Sequence, residues 1–304
     1  MTMSMRSRMI YKALKAANIK GSCGRRLKTG VDKNASEYPS KFDLRGLTIE
    51  VKVFESRNVF IIKKKDTSSQ RHMIYLHGGG YVCQSSAMHW SFVTDFTRRT
   101  ALEVCFLDYP LAPEYHSGKA LDFVYNYYCQ HLKTYDPDSV LIMGDSAGGG
   151  LTLSLLMKIR NENIKMPEKA ILISPFVDSE VSDRRQRDID LIDPILSVEE
   201  LIACGIVYAG ELSLKDWRVN PVKGDFKGLC PLSIYTGDND ILHIDAIRLK
   251  EKLDLSNQPY TYHFEPGMLH VWPLFPGLPE AGKAREQITK EVNKPDKYDS
   301  FKTD

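Results

Sequence analysis

Gly144-Asp145-Ser146-Ala147-Gly148 sets a serine between two glycines, with VLIMG leading into it and AGGGLTLSLLMKIRNE following. The leading run has the make-up of a buried strand, and the following run carries helical periodicity. A strand that passes into a helix at a GxSxG sequence turns sharply at the serine. Such a turn, a nucleophile elbow, lifts the hydroxyl to the top of the sheet at a helix N-terminus. The chemistry on offer is nucleophilic attack. A serine hydroxyl is a weak nucleophile at its ordinary pKa and needs a positioned base. Behind such an elbow the acid and then the histidine follow in the chain. Three downstream histidines qualify: His243, His263 and His270. His263 lies within the strand-like YTYHFEP, and His243 opens a helix. His270 follows Pro266-Gly267-Met268-Leu269 in a loop after the last strand, which aims it at the C-terminal edge of the sheet, so it is the expected base. The acid that fixes its tautomer is expected in LSIYTGDNDIL. Asp238 and Asp240 both qualify by position, with Asp245 further on.

Acyl transfer also needs donors aimed at the oxygen on which charge develops. His77-Gly78-Gly79-Gly80 follows the strand-like MIYLH, and its glycines let backbone amides approach a substrate closely. Ala147, next after the serine, adds an amide at a helix N-terminus. A glycine run can instead cradle phosphate. Here no Lys-Ser/Thr follows it and Rossmann spacing is absent. His77 is expected to support the loop.

These residues need a rigid frame. Apolar runs at 47–54, 59–65, 73–77, 103–109, 140–146, 170–176, 232–238 and 260–266 read as strands. Helical patterns lie between them at about 86–100, 117–133, 147–161 and 243–254. This alternation predicts a mostly parallel sheet with helices on both faces. With the elbow, it gives an α/β-hydrolase fold in a single domain, 1–304. Two regions fall outside the alternation. Residues 1–33 carry nine Lys/Arg and one acid, and Met9, Ile10, Ala13, Leu14 and Ala17 share one helical face. A helix docked on the domain is favoured over a targeting segment. Residues 178–220 are too long for a plain crossover and read as an inserted lid. Within them Ser197-Val-Glu-Glu200 is a capping-box pattern opening a helix to about 209.

The chain resembles the hormone-sensitive-lipase family of α/β-hydrolase esterases. The resemblance rests on His77-Gly-Gly-Gly80 with Tyr81, Asp108-Tyr-Pro-Leu-Ala-Pro-Glu114, Gly144-Asp-Ser-Ala-Gly-Gly149 and Gly267-Met-Leu-His270. Thr236-Gly-Asp-Asn-Asp-Ile-Leu242 is similar to the family's acid loop and selects Asp240 over Asp238. It implies an eight-stranded core, ester hydrolysis without a cofactor or metal, and a cap built here from 1–45 and 178–220. It places the oxyanion donors at Gly79, Gly80 and Ala147, with Gly78 in the turn. Pro110 stands where the family often has arginine, and Trp272 follows the histidine closely enough to narrow an acyl pocket. Tyr81, Trp90 and Trp272 are the candidate pocket walls. Asp145 and Glu114 are expected to brace nearby loops.

Composition excludes other classes. The 41 basic and 39 acidic residues leave a net charge of +2, so no global basic field for nucleic acid exists. No apolar run approaches the roughly 18 residues needed to span a bilayer, so no stable membrane insertion is expected. The six cysteines lack CxxC spacing and several lie in apolar runs, which suits buried thiols in a reducing, cytoplasmic setting. The expected function is a serine carboxylesterase acting on small, short- to medium-chain esters. The alternatives are an amidase or peptidase with the same triad, and a non-catalytic small-molecule receptor. Plant gibberellin receptors resemble the same family but lack the histidine, which is present here as His270.

Overall fold

The computed structural model describes residues 3–293. Two helices, α1 (Met5–Ala17) and α2 (Ser22–Thr29), precede a hairpin of β1 (Leu47–Phe54) and β2 (Arg57–Lys64). Strand and helix then alternate through β3 (His72–Leu76), α3 (Ala87–Thr100), β4 (Glu103–Leu107), α4 (Ser117–His131), β5 (Val140–Asp145), α5 (Ala147–Asn161) and β6 (Lys169–Ile173). After β6 come α6 (Arg185–Asp190) and α7 (Val198–Ala209), then β7 (Leu232–Thr236), α8 (His243–Leu255), β8 (Tyr260–Phe264) and α9 (Pro279–Asn293). The sheet has eight strands in the order β1-β2-β4-β3-β5-β6-β7-β8. The β1–β2 and β2–β4 pairs are antiparallel, and β4 through β8 are parallel.

The period of two along each central strand divides the core. Ile74 and Leu76 of β3, with Val140 and Ile142 of β5, join Leu151, Leu155 and Phe123 on one face. Met73 and Tyr75, with Leu141 and Met143, meet Trp90, Phe96 and Ile288 on the other. Both faces of the central strands are therefore dry, which explains their unbroken apolar runs. Helix α9 has no counterpart in the sequence reading. Charged residues dominate it, and its core contact is the sparse stripe Ala281, Ala284, Ile288 and Val292.

The amphipathic stripe expected near the N-terminus is only half used. Ile10 and Leu14 pack toward the α3–α9 side, but Met9 is 67% exposed and Ala13 and Ala17 face solvent. Polar anchors set the helix rotation: the Ser4 amide donates to Glu280 Oε1 at 2.7 Å, and the Ser7 hydroxyl donates to Glu280 Oε2. Ser7, Ile10 and Leu14, three to four residues apart, thus form the inward face.

The Ser197 hydroxyl caps α7 by accepting from the Glu200 amide at 3.3 Å. The reciprocal half of the expected capping box is not made. Glu200 instead accepts from the Gly21 and Gly24 amides at the start of α2. A carboxylate at a helix N-terminus is favourable, and here it fastens the insertion to the N-terminal segment.

Candidate active site

Ser146 stands between β5 and α5 with φ 51° and ψ −120°, a conformation that L-residues seldom adopt. The local bonds hold it there. Its amide donates to the Ile173 carbonyl at 2.8 Å, and its carbonyl accepts from the Phe176 amide at 2.9 Å. The flanking glycines are there for space. A Cβ on Gly144 would strike the Gly148 carbonyl, and one on Gly148 would strike the Leu76 carbonyl.

Of the three downstream histidines, His270 reaches the serine, its Nε2 lying 2.9 Å from Ser146 Oγ. Its Nδ1 lies 3.1 Å from each carboxylate oxygen of Asp240. A ring nitrogen facing a carboxylate carries the hydrogen, which leaves Nε2 as acceptor for the serine hydroxyl. Burial alone would lower the His270 pKa, but the charge of Asp240 and its hydrogen bond outweigh burial and raise it above the ordinary histidine value. Asp238 turns away and accepts from the Gly267 amide, bracing the loop that carries His270. His263 bonds Gln287 and lies 2.8 Å from Glu291 at the sheet edge, and His243 bonds Thr236. Asp245 is buried beneath the insertion, accepting from the Val177 and Asp178 amides at 2.8 and 2.9 Å.

The glycine loop packs beside the elbow. The Gly78 amide is taken by Asp145 Oδ1 at 3.1 Å. Among the described residues, no loop or turn hydrogen bond takes the Gly79 or Gly80 amide. Ala147 is the first residue of α5, where an amide has no partner within the helix. Asp145 also accepts from Tyr75 Oη at 2.6 Å and contacts His89 Nε2 at 3.2 Å. Burial opposes its charge, but His89 and Tyr75 prevail and hold its pKa below the usual range. The His77 ring bonds the Gly78 carbonyl at 2.7 Å and stacks on Tyr109. Burial depresses His77 to about 4, so the ring is neutral near pH 7. Glu114 pairs with Arg26 of α2 at 2.8 Å.

A cavity of about 510 Å³ opens over Ser146 and His270. Leu14, Ile19, Met88, Ile195, Leu201 and Phe275 supply apolar wall. The three walls expected from sequence are elsewhere. Tyr81 stacks on Tyr208 at 3.7 Å and donates to the Phe176 carbonyl at 3.2 Å. Trp90 is fully buried against Phe106 at 4.1 Å. Trp272 is buried in the core beside α9, because Val271 adopts a left-handed φ of 49° and reverses the chain after His270. Val271 lines the cavity in its place.

Asp193 of the insertion is also missing from the sequence reading. It is 1% exposed and accepts from the Ile195, Leu196 and Ile241 amides at 2.8–2.9 Å. The last of these ties it to the acid loop. Burial and the charge of Asp240 raise its pKa to about 6. Its surroundings are backbone amides, which leave no side-chain motif to read. Among the described residues, no group of three or more His, Cys, Asp or Glu has the geometry to hold a metal ion, and no helix is long and apolar enough to cross a membrane.

Residues 73–274 match a family model described as the α/β-hydrolase fold. An esterase of Acinetobacter venetianus is 31% identical over 231 residues, covering 75% of this chain and 76% of that protein. An acetyl-hydrolase of Streptomyces hygroscopicus is 30% identical over 223 residues, covering 71% and 73%. Among solved structures, the hormone-sensitive-lipase homologue EstE7 from a metagenome library superimposes with a TM-score of 0.83 at 25% identity, covering 96% of this chain and 98% of that one. The chain belongs to the α/β-hydrolase fold family and, within it, to the hormone-sensitive-lipase family of esterases. It is a carboxylic ester hydrolase.

Proposed function

We propose that the protein is a serine carboxylesterase that cleaves small, short- to medium-chain esters through an acyl-enzyme. Ser146 Oγ attacks the ester carbonyl while His270 Nε2 takes its proton. The amides of Gly79, Gly80 and Ala147 hold the oxyanion, and the bond that the Gly78 amide donates to Asp145 fixes their loop. His270 then protonates the leaving alkoxide, and water repeats the sequence to release the acid. Asp240 holds the tautomer and supports the imidazolium. The observation that carries this reading is the unbroken Ser146–His270–Asp240 relay at the wall of a mostly apolar cavity. Hydrolysis of p-nitrophenyl esters of increasing acyl length, compared with the matched anilides, tests it. Ester turnover well above anilide turnover supports the esterase, and the reverse supports an amidase. Binding without turnover of either supports a receptor.

The base works only when neutral, so kcat/KM rises with pH along a limb set by His270. The raised pKa of His270 puts that limb above the ordinary value of about 6.5. A pH-rate profile with its midpoint below that value contradicts the electrostatics described for Asp240.

Within the single domain, 1–45 and 178–220 form a cap in this reading. Leu14, Ile19 and Cys23 reach the cavity from the first segment, and Ile195, Leu201 and Cys204 from the second. Deleting 1–33 removes one apolar wall but leaves the relay. Each methylene buried is worth about 0.8 kcal/mol, roughly fourfold in kcat/KM. The gain along an acyl series therefore flattens in a folded truncation, with acetate esters suffering least. An unchanged chain-length profile places the N-terminal segment outside the binding site.

A further inference from the structure

Three cysteines from separate segments meet on the cavity wall: Cys23 of α2, Cys83 in the loop after the glycines, and Cys204 of α7. The Cys83 thiol donates to Cys23 Sγ at 3.3 Å, and the Cys23 thiol lies 3.5 Å from the Gly79 carbonyl. A Cβ on Gly80 would meet Cys204 Sγ at 3.1 Å and Cys23 Sγ at 3.5 Å, so the thiols flank the glycine loop. The remaining cysteines are elsewhere. Cys105 and Cys230 are buried in the core, Cys129 lies on α4, and none lines the cavity.

We propose that Cys23 and Cys83 form an oxidation site for hydroperoxides, closing a disulfide that ties α2 to the glycine loop and suppresses ester hydrolysis. The suppression rests on the oxyanion role given above to Gly79 and Gly80; formation of the disulfide does not. In the first step the Cys23 sulfur attacks one peroxide oxygen. The O–O bond breaks, a sulfenic acid forms, and the other oxygen leaves as water or alcohol with the thiol proton. In the second step the Cys83 sulfur attacks the sulfenic sulfur, the S–S bond forms, the S–O bond breaks, and water leaves. Two thiols together lose two electrons and the peroxide gains them. The order of attack follows from the environment. The thiols of Cys204 and Cys83 hydrogen-bond to Cys23 and, against burial, hold its pKa well below the usual thiol range. The same contact with Cys23, together with burial, pushes Cys83 upward.

Closing the bridge shortens 3.3 Å to about 2.05 Å. That movement reaches the glycines directly, because the Cys83 amide donates to the Gly79 carbonyl at 2.8 Å. A displacement of about 1 Å in a catalytic donor lowers turnover on the order of 10²-fold.

The test treats the reduced full-length protein with hydrogen peroxide, alkylates the remaining thiols and maps the peptides. Hydrolysis of p-nitrophenyl butyrate is followed before treatment, after it, and after dithiothreitol. The expected result is a Cys23–Cys83 linked peptide lacking two hydrogens, a fall in kcat/KM of roughly 10- to 100-fold, and recovery with dithiothreitol. Each variant is compared with its own untreated state. Cys23→Ser and Cys83→Ser should show a treated-to-untreated ratio near unity, and Cys129→Ser should keep the fall. A missing bridge, a bridge between Cys23 and Cys204, or a fall that persists in Cys23→Ser overturns the assigned pair. A bridge with undiminished turnover overturns the suppression. A bridge in a protein that hydrolyses no ester even when reduced supports the oxidation site and counts against the esterase reading.

Discussion

Ser146→Ala is expected to lower kcat by about 10⁴–10⁶-fold, the largest effect of any single change in this protein, because relay members act as a unit. The fold should survive. Ser146 is 5% exposed, and the bonds that fix the elbow come from its backbone. An alanine keeps the Cβ and removes one hydroxyl, whose hydrogen-bond partner, His270 Nε2, faces the cavity. The Cβ that makes a φ of 51° costly is present in both residues, so the backbone strain is the same in the variant and the parent. The measurement pairs thermal unfolding with turnover in a preparation free of host esterases. Turnover close to that of the parent, with the fold intact, removes Ser146 as nucleophile.

Asp240→Asn is expected to lower kcat on the order of 10⁴-fold. The amide of an asparagine can present its NH₂ to His270 Nδ1, which stabilises the tautomer with hydrogen on Nε2. That tautomer cannot accept the serine proton. Asp240 also accepts from the Leu242 amide at 2.9 Å, so the side chain is held from two sides and cannot simply swing out. Asp238→Asn is the matched control. It sits two residues away and, among the described residues, accepts only from the Gly267 amide, a bond an asparagine oxygen also makes. Its loss should stay within roughly fivefold, about the net worth of one hydrogen bond. Steady-state kinetics of the two variants separates the roles. The reverse ranking moves the acid to Asp238 and contradicts the observed placement of Asp240 against His270.

The frame and the meeting of Ser146 with His270 were legible in sequence for local reasons. Apolar runs such as MIYLH and VLIMG report burial on both faces, and the glycines at 144 and 148 mark a turn too tight for side chains. The choice between Asp238 and Asp240 was not legible from spacing. Both lie in one loop, and backbone curvature decides which carboxylate faces the histidine; the family resemblance pointed to Asp240. The cavity walls were misread for a similar reason. Aromatic type does not say which way a side chain points, and the left-handed turn at Val271 sends Trp272 into the core while Val271 itself lines the cavity. Helix α9 hides because four small or medium apolar residues carry its contact among many charges. The ties of Asp193 to Ile241 and of Glu200 to Gly21 and Gly24 were missed because these partners are backbone amides far away in sequence. The rotation of α1 was set by Glu280, some 270 residues downstream of Ser7, beyond the reach of any periodicity.

Titration with diethyl p-nitrophenyl phosphate examines the nucleophile without relying on the natural ester. The reagent phosphorylates an activated serine and releases one phenolate as it does so. The expected result is one equivalent of phenolate per chain, one diethylphosphoryl group on the peptide containing Ser146, and ester turnover falling in step with labelling. Ser146→Ala should release no burst. Complete labelling of another residue, or turnover that persists in protein fully labelled at Ser146, would contradict acyl transfer through Ser146.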